Sequence, residues 1–288
     1  MDMSAMKGSS PGAGGRADTA WQRAVRADER AAQETANAER HEQLFAETGR
    51  VLHSTMAARY RAVAERHRTT ARLQQAYAHR LAEAESRGGG FRPLFMAGVA
   101  EACGTRSAAL TLIGVDLSQL AVAASDRPSR GAQDLEYVLT AGPGIDAVRA
   151  RRTVYASGPV LEKRWPGYGS GIAALGLSSV AALPLKVASD CIGVLTVFDP
   201  PSALARSGKF REVAAALVDC VLIGPDADPG LYGGADLRAT VHQAAGVLSE
   251  QVGSSVHDAL ALIKARAFAL SIPLDSVARS VISGELKL

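Results

Sequence analysis

Gly142-Pro-Gly-Ile-Asp-Ala147 has the G-x-G-x-x-A spacing of a loop that cradles phosphates. Its glycines would allow close approach, and a helix N-terminus would receive the charge. Pro143, however, removes one of the amide donors such a cradle uses. The neighbouring strands also read as hairpins rather than a βαβ unit, so the stretch is read as a strand-to-helix turn. Histidine, the usual general base near neutral pH, is confined to the two ends of the chain: His41, His53, His67 and His79, then His242 and His257. The middle has none to serve as a base, a haem ligand or a metal ligand. The four N-terminal histidines fall 12, 14 and 12 residues apart. That is not the i, i+4 spacing of a metal pair on one helix, and they read as polar or half-buried helix positions. Cys103, Cys191 and Cys220 are far apart and form no C-x-x-C. They point away from a disulfide framework or zinc site and toward a reducing cytoplasm, with Cys191 and Cys220 as core residues. No Ser/His/Asp or Cys/His constellation is evident. Neither an enzyme nor a cofactor is expected.

The remaining chemistry is charge. The net charge is +3, and residues 1–90 hold fourteen Lys/Arg against eleven Asp/Glu, which is the whole excess. Within them Arg59, Arg61, Arg66, Arg68, Arg72 and Arg80 are interrupted by one acid, Glu65. Such a run is read first as a solvated helix face; the functional alternative is contact with a nucleic acid backbone.

These residues must be positioned by an α+β chain of several parts. With 47% hydrophobic but only 5% aromatic residues, the apolar fraction is rich in alanine, which favours helix. Residues 1–16 read as a disordered Gly/Ser/Pro tail. Residues 17–88 read as a helical or coiled-coil arm. Ala17, Ala24, Ala31, Ala38, Phe45 and Leu52 recur every seven residues, and a second face follows Met56. Gly49 suits either a hairpin between two helices or a single rod. The stripe leads to the expectation of a homodimer.

Residues 91–223 read as an antiparallel sheet with helices packed on one face. A helix near "FRPLFMAGVAEAC" precedes strands at "SAALTLIGV", "LAVAASD" and "LEYVLTAG". A short helix at "IDAVRARR" is followed by a strand at "TVYASG". The pair "SVAALPLKV" and "CIGVLTVFD" and a closing helix, "KFREVAAALVDCVL", complete the segment. Residues 224–234 read as a linker and 235–288 as three helices, with Ser254 or Ser255 capping the second and Pro273 opening the third. No apolar run is long enough for a membrane span, and no signal peptide is apparent.

The C-terminal part resembles the ANTAR domain, an RNA-binding antitermination module. The resemblance is carried by Arg238-x-x-Val241-x-x-Ala244-Ala245-Gly246-x-Leu248-Ser249, by Ala259, Ile263 and Lys264, and by Leu274, Val277 and Ala278. The family's lysine is Ala245 here and its methionine is Ser249. The middle part resembles a GAF domain of the subgroup found with ANTAR in actinobacterial regulators. It does so through "YVLTAGPGIDAVRARRTVYAS", Trp165-Pro166, "GLSSVAALPL" and "IGVLTVF", with Gly144 where the subgroup has cysteine. The signatures of cyclic-nucleotide-binding and bilin-binding GAF domains are absent, so the ligand pocket is not assigned.

The resemblance implies a cytoplasmic, signal-responsive regulator. A GAF sensor takes an unknown small molecule or signalling partner, and the ANTAR domain of a dimer binds structured RNA, stem-loops in nascent transcripts, to control termination. The RNA-facing residues expected are Arg238, His242, Gln243, Ala245, Gly246, Lys264, Arg266 and Arg279. Ala244 and Gly246 would let a helix or an RNA loop approach closely. The alternative is a sensor or adaptor whose ANTAR domain has lost RNA binding, which the missing lysine at Ala245 favours. DNA binding through "LDSVARSVI" ranks below both.

Overall fold

The computed structural model describes residues 13–86, 94–114, 117–187, 190–204, 207–220, 237–270, 272 and 274–286. The linker at 224–234, the Gly88–Gly90 stretch, Pro273 and Lys287 lie outside these. The chain divides into two compact units, Met1–Leu94 and Phe95–Leu288.

The first unit is a helical hairpin of α1 (Ala13–Thr48) and α2 (Val51–Ser86). Gly49 resolves the choice between rod and hairpin. It takes φ +64° and donates its N–H to the Phe45 carbonyl at 2.8 Å, ending α1 with the left-handed residue that glycine supplies without a Cβ clash. The helices then run antiparallel in a fixed register. Arg61 meets Glu42, Arg68 meets Thr35 and Gln75 meets Asp28, each pair seven residues further along α2 and seven back along α1. Ala24, Ala31 and Ala38 are buried, and so are Ala57, Ala64, Ala71 and Ala78. Both helices thus contribute an alanine every seven residues. The arm's stripe is satisfied within one chain as far as Ala38; Phe45 and Leu52 are exposed. Residues 13–16, read as part of the tail, are the first turn of α1.

The second unit opens with α3 (Leu94–Ala102), whose range starts at the boundary, and β1 (Ser107–Ile113) and β2 (Gln119–Ala124). The stretch expected as a third strand, "LEYVLTAG", instead falls in helix α4 (Arg127–Leu139) and the turn after it. The cause lies upstream. Asp126 accepts the Ser129 N–H while Ser129 answers the Asp126 N–H, a complete capping box with Pro128 in the first turn. Thr140, at φ 52°, ends the helix. There follow α5 (Pro143–Ala150), β3 (Val154–Ser157), two short helices absent from the sequence expectation, α6 (Pro159–Arg164) and α7 (Tyr168–Ala174), then β4 (Ser179–Val187), β5 (Asp190–Phe198) and α8 (Lys209–Val218). The five strands lie in the order β2-β1-β5-β4-β3, every neighbouring pair antiparallel.

Helices were expected on one face of the sheet, yet both faces are covered. Val180 and Ala182 of β4 join one cluster with Val194 and Phe198 of β5, Ala147 and Val148 of α5, and Tyr168 and Ile172 of α7. The alternate residues Ala181, Leu183 and Leu185 are buried as well, and α8 packs on β4. Consecutive burial along a strand requires cover on both sides.

Last come α9 (Leu237–Val252), α10 (Val256–Leu270) and α11 (Leu274–Ile282). Ser255 caps α10, accepting the Asp258 N–H at 3.1 Å. Val241, Ala244, Ala245, Leu248, Ala259, Ile263, Ala267, Leu274, Val277, Ala278 and Val281 form their shared core. No helix among the described residues is long and apolar enough to cross a membrane.

Candidate functional site

The glycine motif is built around a carboxylate rather than a phosphate. Glu136, on the inner face of α4, is buried. Its Oε1 accepts the Ile145 N–H at 2.7 Å. Gly142 precedes α5, Pro143 and Gly144 open it, and Ile145 follows, so the chain's own Glu136 fills the anion position at this helix N-terminus. This explains the glycines. A Cβ at Gly142 would lie 2.7 Å from the Glu136 side chain, and one at Gly144 would lie 3.0 Å from Oε2 and 3.2 Å from Val194. The motif is a turn, but it joins helix α4 to helix α5 rather than a strand to a helix, and no dinucleotide loop forms. The acid within the motif does something else. Asp146 accepts from the Trp165 indole N–H at 3.2 Å and from Arg164 at 2.9 Å. Two motif fragments nineteen residues apart are thereby joined.

Burial pushes the Glu136 carboxyl up to about 7, and the nearby Asp146 charge adds to this; the Ile145 and Gly144 amides pull the other way. Tyr168, equally buried, has its phenol pushed well above the usual range, by burial first and then by the Glu136 charge. Around them stand other buried polar groups. The Gln133 Oε1 accepts from the Thr111 hydroxyl at 2.7 Å. Thr196 lies on the face of β5 that carries Val194. Glu136 Oε2, Gln133 Nε2, the Tyr168 hydroxyl and the Thr196 hydroxyl have no hydrogen-bond partner among the described residues. Leaving such an atom unpaired costs roughly 1–3 kcal/mol. All four lie in the sheet domain, each a buried polar atom that water or another polar group would satisfy. The buried polar residues among those described include no Lys, Arg or His, so no buried cation pairs with Glu136. Sequence reasoning misses these residues because sixty-three positions separate Gln133 from Thr196, and no local pattern links them.

The C-terminal candidates differ in exposure. His242 and Gln243 are exposed on α9, and Arg266 on α10. Arg279 is exposed but bound to Asp275, an i, i+4 pair. Arg238 stands in the first turn of α9, and its side chain lies outside those described. Ala245, expected on the RNA-facing side, is fully buried. It belongs to the apolar cluster that joins α9–α11 to Tyr137 of α4, and α9 also packs along β2. Gly246 is half-buried, and a Cβ there would meet nothing within 4 Å. The expected close approach at Gly246 is therefore absent from this chain's own packing. Lys264 is half-buried, its Nζ 3.8 Å from the centroid of the Tyr137 ring, a cation–π contact. Arg266 points elsewhere on the same helix, as its two-residue offset requires.

The other groups are structural. Cys103 and Cys220 are buried and Cys191 is half-buried; burial pushes the Cys103 thiol up to about 12, which makes it unreactive. In the arginine run, Arg61 is engaged by Glu42 and both Arg68 and Arg72 by Glu65, as on a solvated helix face. No protein-family model matches the chain, and a search of curated proteins finds no match.

Proposed function

We propose that the chain is a cytoplasmic, signal-responsive regulator rather than an enzyme. Its middle domain is a GAF-like sensor, and its C-terminal helices are an ANTAR-like module that binds structured RNA to control transcription termination. The observation that carries the reading is the two-sided helix α4. Gln133 and Glu136 face the polar cluster of the sheet domain, while Tyr137 and Val138 belong to the core of the C-terminal helices. A guest that hydrogen-bonds Gln133 or Glu136 acts on the helix that holds Lys264. A homodimer accords with this mechanism, and the arm offers exposed Trp21, Val25, Phe45, Val51 and Leu52 for it.

A second reading has its own observation. Ala245 replaces a lysine and is buried, which favours an adaptor whose C-terminal helices are permanently docked. Crosslinking the protein to RNA in its native cells and sequencing what is bound separates the two. Recovery of related stem-loops supports the regulator. A folded protein that enriches no RNA, with or without Tyr137→Ala, leaves the adaptor.

A further inference from the structure

At the tip of the arm hairpin, His41 of α1 and His53 of α2 bring their Nδ1 atoms to 3.0 Å. Their ring centroids are 5.2 Å apart and their planes 36° from parallel. On one continuous helix twelve residues would separate them by about 18 Å, so the pair exists only because Gly49 turns the chain back. Of two facing imidazole nitrogens, one carries a hydrogen and the other accepts it. When both rings hold their hydrogen on Nε2, two lone pairs face one gap. That arrangement binds a metal ion. A tetrahedral ion with bonds of about 2.0–2.1 Å holds two ligand nitrogens about 3.3–3.4 Å apart. The rings need part by only a few tenths of an ångström.

The surroundings hold the rings in place. Tyr60 stacks on His41, centroids 5.4 Å apart and planes 22° from parallel. The next residue, Glu42, is gripped by the Arg61 fork at 2.6 and 2.7 Å, which ties α1 to α2 at this level. Both histidines are half-buried, leaving open positions to water. Among the described residues no group of three or more His, Cys, Asp or Glu could hold a metal, so two protein ligands are what this site offers.

We infer that His41 and His53 form a two-histidine site for a divalent transition-metal ion of the zinc, nickel or copper class, which imidazole suits, and that the ion clamps the hairpin tip. Binding to the neutral pair releases no net proton: the hydrogen between the rings moves from Nδ1 to Nε2 of the same ring, and the ion takes both freed lone pairs. The site is independent of RNA binding and of the polar cluster.

The test is calorimetric titration of the full chain with zinc chloride. One ion should bind per chain. His41→Ala and His53→Ala should each weaken binding by about tenfold or more, since even losing a residue that only orients a ligand costs 10–100-fold. His67→Ala and His79→Ala should leave it unchanged. Circular dichroism checks that the variants stay helical, and His41→Gln replaces any that does not. Saturating zinc should raise the melting temperature of the wild type and not of His41→Ala. A wild type with no saturable binding up to about 100 μM free zinc, a useful lower bound on affinity, overturns the inference. So does binding that survives both His41 and His53 substitutions.

Discussion

One buried carboxyl, Glu136, couples the sheet domain's stability to pH. Glu136 has its pKa raised from 4.5 to about 7. A carboxyl raised on folding binds its proton more tightly in the folded state. Its stabilising effect is therefore complete below pH 4.5 and is lost as pH climbs toward 7. At 1.36 kcal/mol per unit the effect is about 3 kcal/mol. Glu136→Gln removes the titration and leaves an oxygen for the Ile145 N–H. In denaturant melts at about pH 5 and pH 8, the wild type should lose about 2.5 kcal/mol more than the variant over that interval; equal losses would assign the buried charge no role. The C-terminal residues carry a sharper contrast. Ala245 is fully buried, so Ala245→Lys places an ammonium in an apolar cluster and should cost about 3 kcal/mol or more in a melt. That outcome reverses the sequence expectation, in which the added charge faces RNA. Gly246 has open space around it. Gly246→Ala should therefore add about 0.5–1 kcal/mol through helix propensity alone, and a loss in the same melt would mean that the backbone there is approached by something.

The arm owes its geometry to small residues. In the hairpin's register, Ala38, Ala31 and Ala24 stand level with Ala64, Ala71 and Ala78, and all six are buried. Side chains this short let two helices approach closely, so bulk between them acts directly on the spacing. Ala64→Leu should lower the arm's stability by about 1–3 kcal/mol, while Ala62→Leu, on an exposed position, should leave it unchanged; a helical melt by circular dichroism distinguishes them. How much of the fold is legible in the sequence depends on which residues announce an element. The stripe on α1 is plain. On α2, Met56, Tyr60 and Val63 draw attention to the flank, while the alanines that form the seam contribute little apolar signal. Strands β1, β4 and β5 are legible because their branched, apolar runs end at polar turns. Helix α4 is misread as a strand because Leu135–Leu139 is a short run, apolar but for Glu136, whereas the deciding Asp126–Ser129 capping box lies nine residues upstream. Helices α6 and α7 are six and seven residues long, too short for a helical period to show. Gly169 serves there to let them cross: a Cβ would sit 2.4 Å from the Glu162 backbone nitrogen. Glu136 reads in sequence as one polar position of a supposed strand, and only the fold places it against Ile145.

At the scale of the second unit, Tyr137 of the sheet domain enters the apolar core of the C-terminal helices. The face of α9 that holds Ala245 is covered by this packing, and Lys264 is held over the Tyr137 ring. An RNA that uses Lys264 must therefore compete with α4, and the contact with Tyr137 opposes it. A cation–π contact is worth roughly 0.5–2 kcal/mol, which converts to about a 2- to 30-fold change in an equilibrium constant at RT ≈ 0.59 kcal/mol. Tyr137→Ala should loosen the docked helices. Hydrogen exchange in α9 and α10 should quicken, and affinity for a crosslinked stem-loop should rise by about that factor. Lys264→Ala should weaken RNA binding in the Tyr137→Ala background by losing one phosphate contact, with a salt dependence shallower by about 0.7–0.9 in log–log slope. Faster exchange with unchanged RNA affinity would mean that the docked face and the RNA face are separate surfaces. Exchange that stays as slow as in the wild type would mean that β2, rather than α4, holds the C-terminal helices in place, and would put the switch at the α9–β2 seam.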